Sequence, residues 1–164
     1  MFTLQEFNES LNIPYRLDAK RVKTVFIEKQ HKNKLHFTKE NVVLVHLLTQ
    51  TALAMPKKHE SLLIPSNFVV IEFNSTVDAQ FFEWYFNEHP MIRKQIARNT
   101  QGAVISTLSI ANLRELEVDL PLLEKQRKIG RISQLQRKKN ILAKEKMFLE
   151  RMLIKQTILN QLEE

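Results

Sequence analysis

Five histidines and one Asp-x-Lys pair are the residues of this chain whose types belong to catalysis. His31, His36, His46, His59 and His89 show no i, i+4 pairing around an acid, the arrangement with which a helix presents two imidazoles to zinc. They read as scattered surface histidines. Asp18-Ala-Lys20 echoes a nuclease pair but lacks an upstream acid on a strand. Gly102 and Gly130 are the chain's two glycines, so neither a phosphate-cradling loop nor a dinucleotide turn can be built. Without cysteine there is no thiolate metal site and no disulfide framework. The expectation is a protein that is not an enzyme and needs no cofactor and no metal.

What remains is binding chemistry. The formal net charge is +7, and residues 124–164 hold 11 Lys/Arg against 5 Glu. A second zone, Arg16 to Lys39, carries eight basic residues against Asp18 and Glu28. Basic zones of this kind suit a polyanion, because phosphate contacts dominate affinity for nucleic acid; the alternative is a solvated lysine surface. No apolar run reaches the ~20 residues a membrane span requires, and MFTLQEFNESLN has neither the basic nor the apolar region of a secretion signal. A cytoplasmic protein with no membrane partner is expected.

These residues must be positioned by two kinds of element. TVFI (24–27), VVLVHLL (42–48), FVVIEF (68–73) and LEVDL (116–120) are apolar, β-branched runs of strand length and predict a small irregular sheet. KQHKNKLH and PKKHES read as basic connecting loops. Residues 74–99 read as two helices: Ser75 with Asp78 resembles a capping box, Pro90 marks the restart, and the aromatic cluster Phe81, Phe82, Trp84, Tyr85 and Phe86 reads as core rather than a base-stacking platform. After Pro121 every signal is helical. Leu135, Leu142 and Leu149 recur by sevens and Met152 and Leu159 continue a second row, as in a coiled coil, with Lys138, Glu145 and Gln156 interrupting. Some 40 helical residues would extend ~60 Å, too far for one small head to cover, so a partner helix is implied. Pro121 is expected to end the ladder of the last strand and to supply the preset φ of the first helical turn. The fold class is α+β: a head over 1–121 and a long helical dimerisation or spacer region over 122–164.

The run Gln101-Gly102-Ala103, Ile105, Leu108, Leu113, Leu116, Val118, Leu120-Pro121-Leu122, Glu124 and Gln126 resembles the end of a target-recognition domain in the DNA specificity subunit of type I restriction and modification systems. That pattern is a Gly-Ser or Gly-Ala loop, a short helix, a strand ending in an apolar-Pro pair, and Glu-x-Gln opening a long helix. LIPSNFVVIEFNSTVDAQFFEWYFNEHPMIRKQI (63–96) is similar to the strand, connector and aromatic helix of the same domain. Upstream, TKENVVLV stands where the family usually has Lys-Gly-Asp, and LLTQTALAMP where a glycine-bearing loop is usual.

The resemblance implies half of a specificity subunit, since full subunits carry two recognition domains joined by two antiparallel long helices on which methyltransferase subunits dock. It implies sequence-specific reading of double-stranded DNA without catalysis. The partners are then DNA, type I methyltransferase subunits, and a second copy or another half specificity subunit, paired through Leu135, Leu142, Leu149, Met152 and Leu159. Phosphate contacts are expected from Lys29, Lys32, Lys34, Lys57, Lys58 and Arg98, and contacts at or near bases from Thr49, Gln50 and Gln101, with Gly102 serving a turn. The alternative is a diverged half subunit that dimerises, as an interaction protein, decoy or regulator, without reading DNA.

Overall fold

Val42–His46 forms β1, the centre of a three-stranded antiparallel sheet in the order β2-β1-β3, with β2 at Thr51–Ala54 and β3 at Phe68–Glu72. The computed structural model describes residues 1–13, 24–28, 35–56, 59, 61–100 and 107–163. Every residue of β1 is buried, because alternate side chains enter two different cores. Val43 and Val45 join Ala52 and the aromatic helix α2 (Ala79–Glu88) on one side. Val42 and Leu44 join Leu53, Phe68, Phe2 and Phe7 on the other. A strand covered on both faces loses the polar alternation of a half-exposed one, which is why 42–46 reads as a continuous apolar run.

The second core is closed by α1 (Leu4–Leu11). Thr3 and Glu6 form a full capping box, the Thr3 N–H donating to Glu6 Oε2 at 2.6 Å, and Asn12 ends the helix in the left-handed region at φ 57. Phe2 and Phe7 are both fully buried. At about 1.5–3 kcal/mol per large apolar side chain, they make α1 part of the head. The Thr-x-x-Glu signature of this helix stands in the sequence and was not used to predict it.

On the opposite side, α2 is followed directly by α3 (Pro90–Thr100), as Pro90 suggested. Phe81, Phe82, Tyr85 and Phe86 are buried, so the aromatic cluster is core. The N-cap of α2 is Asp78, whose carboxylate accepts from the Phe81 N–H at 2.8 Å; Ser75 is not its capping partner. Side chains of α2 also cover the outer edge of β2. The Asn87 amide exchanges two 2.8 Å hydrogen bonds with the backbone of Ala52, and Glu83 Oε2 accepts from the Ala54 N–H. An edge strand paired in this way offers no free ladder.

Two expected strands are not strands. Residues 24–28 are extended without a ladder, and so are 116–120, which follow the short α4 (Ile110–Arg114). Leu116 and Val118 turn inward while Glu117 and Asp119 face solvent, the alternation of a strand, but the pairing partner is a side chain. The Gln95 amide of α3 donates to the Glu117 carbonyl and accepts its N–H, both at 3.0 Å. Strands β1 and β3 also stop short of the expected ends, at His46 and Glu72, and β2 lies in LLTQTALAMP, where the family resemblance implies a glycine-bearing loop.

The long helix α5 runs Leu123–Glu163, 41 residues or about 60 Å at 1.5 Å each. Since it begins at Leu123, Pro121 lies outside it and ends no ladder. The family-like Gln126 is what ties the helix down. Its buried amide accepts from the Asp78 N–H at 3.0 Å and donates to the carbonyls of Thr76 (3.0 Å) and Pro121 (2.8 Å). One turn on, a Cβ at Gly130 would lie 2.8 Å from the Phe81 nitrogen and 2.9 Å from Asp78 Oδ1, so α5 can cross the start of α2 only because residue 130 has no side chain. Two turns further, Arg137 pairs with Glu83, which is 6% exposed. Burial pushes the Arg137 guanidinium below its ordinary value, yet a guanidinium stays charged in proteins.

Replacing Gln126 by Leu removes the partners of the Asp78 N–H and of the Thr76 and Pro121 carbonyls, all part-buried bonds, at about 0.5–1.5 kcal/mol for each bond lost. Gly130→Ala adds about 1–3 kcal/mol of overpacking against about 1 kcal/mol gained in helix propensity. Both variants should therefore lower the denaturation midpoint, which urea unfolding followed by circular dichroism would measure. A Gly130→Ala chain more stable than the parent would contradict the close crossing.

Candidate nucleic-acid interface

The β1–β2 turn, Leu47–Gln50, is the part of the candidate site that the described residues place in full. It is held from every side. Below it lies His46, predicted as a surface histidine but 2% exposed, its ring against Phe68 (4.9 Å between centroids) and Phe7 (6.0 Å). The inward register of β1 decides this, since His46 follows Val42 and Leu44 on the same face of the strand. Burial pushes its pKa below the ordinary 6.5 and keeps the imidazole neutral. Its Nδ1 accepts from the Thr49 N–H at 3.3 Å and lies 2.8 Å from Thr49 Oγ1. From the side, the Arg93 guanidinium of α3 donates to the Gln50 carbonyl at 3.0 Å. The Leu108 N–H donates to the Leu47 carbonyl at 3.1 Å, and Thr51 Oγ1 donates to the Thr49 carbonyl at 2.9 Å. Gln50 takes φ 50, a left-handed conformation that these bonds hold in place of the glycine usual in such a loop.

Helix α3 brings cationic charge to this turn. Ile92 and Ile96 are buried, which turns Met91, Lys94 and Arg98 to the outer face at helical spacing, all three exposed. Arg98 was expected; Arg93 and Lys94 were not, although the same spacing of isoleucines in MIRKQIAR carries the signal. Thr49 and Gln50 therefore sit beside the helix that carries Arg98. Lys29, Lys32, Lys34, Lys57, Lys58, Gln101 and Gly102, like Asp18, Lys20 and His31, lie outside the described residues. The other histidines vary: His36 is exposed, His59 is half-buried against Phe2, and His89 stacks on Tyr85 at 4.2 Å.

The second candidate surface is α5 beyond Arg137. Every residue from 138 to 162 is exposed, about 37 Å of helix at 1.5 Å per residue. Leu135, Leu142, Leu149, Met152 and Leu159 are 56, 54, 57, 55 and 42% exposed. They form one stripe. Met147, Ile154 and Ile158, equally exposed, lie roughly opposite it at 3.6 residues per turn. Among the described residues, no helix is long and apolar enough to cross a membrane.

A small α+β head with a fixed polar turn beside a basic helix, carried on a long rod with an apolar stripe, is the architecture of a recognition module. The family model for the type I restriction modification DNA specificity domain matches residues 2–151, and the chain belongs to that family. A comparison with curated proteins finds no match.

Lys94 and Arg98, as exposed cations of the helix that holds the turn, should act on DNA through phosphates and without regard to sequence. Replacing both by Ala is expected to weaken all sequences alike and to lower the slope of log affinity against log salt by up to about 2. Fluorescence anisotropy across a salt series measures this, and an unchanged slope would remove the outer face of α3 from the interface.

Proposed function

We propose that the chain is a non-catalytic recognition half of a type I restriction and modification assembly. Its head reads a short half-site through the β1–β2 turn and the basic loops, and α5 pairs with the α5 of a second copy or of another specificity half. The observation that carries the pairing is the apolar stripe: Leu135, Leu142, Leu149, Met152 and Leu159 all stay exposed along α5, and helices in proteins gain most of their stability from packing such a face. Charge supports an antiparallel arrangement. Residues 124–144 hold eight Lys/Arg against Glu124, whereas residues 145–164 hold three against four Glu. Parallel pairing would set two strongly basic segments side by side, and antiparallel pairing sets each against a weakly acidic one.

A groove beside the head lies on the face of α5 opposite that stripe. Trp84, Ile129, Ile132, Ala143 and Met147, with Leu11 at its end, line a trough of about 710 Å³ along α5. The trough continues into the second apolar face, Met147, Ile154 and Ile158, which is left for a further helix, and to it we assign methyltransferase docking. DNA contacts at Lys29, Lys32, Lys34, Lys57, Lys58 and Gln101 belong to the same proposal.

Two heads at the ends of a paired rod would hold their half-sites at a fixed separation, about 18 base pairs at most for about 60 Å at 3.4 Å per pair. Each head alone binds weakly, and the second contact becomes intramolecular in the dimer. Affinity should therefore change sharply when one to five base pairs are inserted between half-sites, because insertion rotates one groove away from its head. Leu142→Asp, which sets a charge in the stripe, should shift the sedimenting species toward monomer and remove that sensitivity. A flat response to insertion by the parent chain would leave dimerisation without DNA reading as the better account.

A further inference from the structure

Leu48 occupies the tip of the β1–β2 turn as an exposed large apolar side chain. It is 59% exposed, while its neighbours Leu47 and Thr49 are engaged by the Leu108 N–H and by His46. It stands between those fixed points and Gln50, whose carbonyl is held by Arg93. We propose that Leu48 is a specificity-determining residue that reads thymine through its 5-methyl group in the major groove. This rests on the reading of the turn as a DNA-contacting element, and goes beyond it by assigning a base and a chemical group.

Three features of the turn lead to that assignment. A polar tip would hydrogen-bond to base edges, but Leu can offer only apolar contact, and the thymine methyl is the one apolar group that the base pairs present in the major groove. The tip does not have to be ordered on binding. Its backbone bonds to His46, Arg93, Leu108 and Thr51 fix it in the free protein, so a contact as small as one methyl group survives the entropic cost of docking. Helix α3, whose Arg93 holds the turn and whose Lys94 and Arg98 are exposed, supplies the phosphate attraction that an apolar tip cannot.

The test uses the full chain and double-stranded oligonucleotides that it selects from a random pool. Each thymine of the selected site is replaced in turn by deoxyuridine, which removes the methyl and nothing else. In the parent chain one such replacement should cost about fourfold in affinity, the worth of one buried methyl-sized group. Leu48→Ala should lose the same factor on the thymine site and then bind thymine and uracil sites equally, whereas Leu48→Met should retain the preference. Unchanged thermal midpoints would show both variants folded, as the exposure of Leu48 leads one to expect. A uracil penalty of equal size in the parent and in Leu48→Ala, or no penalty at any position, overturns the assignment while leaving DNA reading intact. Failure to select any sequence overturns the DNA reading and this inference with it.

Discussion

One buried amide fixes the direction in which the rod leaves the head. Gln126 uses one carbonyl and two N–H bonds to join the start of α2, the chain before α2 and the chain before α5. Its removal would break all three part-buried bonds together, so moving α5 away from this seat is costly. Gly130 and the Arg137–Glu83 pair extend the same contact along α5, and Glu83 ties it onward to β2 through Ala54. Helix, sheet edge and rod are thereby one mechanical unit. A specificity module needs this, because a spacer defines a distance between half-sites only when its joint to the reading surface is stiff.

The head repeats one device at lower cost. Side-chain amides stand in for missing strands: Asn87 closes the edge of β2, and Gln95 pairs with Glu117. Both come from the helices that also build the aromatic core, so the sheet stays at three strands without an exposed ladder on that side. The β1–β2 turn follows the same logic. With no glycine available, a neutral buried histidine and an arginine hold Gln50 at positive φ. The turn is rigid before any ligand arrives, which favours selectivity over adaptability.

Much of this was legible in the sequence. The aromatic helix, the break at Pro90, the strands at 42–46 and 68–72 and the long helix after Pro121 follow from periodicity and punctuation. The Glu-x-Gln resemblance marked Gln126, but its chemistry could not be read, because its three partners lie up to 50 positions away. Residues 116–120 misled for a definite reason: an extended segment with alternate residues inward has the pattern of a strand whether its partner is a backbone or the amide of Gln95. His46 misled because a single polar residue in an apolar run gives no sign of which core it enters. The Thr3–Glu6 capping box, by contrast, was readable and passed over.

The stiffness of the joint between head and rod is open to direct measurement, and the absence of native cysteine makes it clean. Spin labels at Ser66→Cys, on an exposed turn of the head, and Arg151→Cys, on the free part of α5, report the angle between them as a distance. Double electron–electron resonance on labelled chain diluted with unlabelled chain reads that distance within one molecule. The account predicts a single narrow distribution, unchanged whether or not DNA is present. A broad or bimodal distribution, as from a head that swivels on its rod, would contradict it.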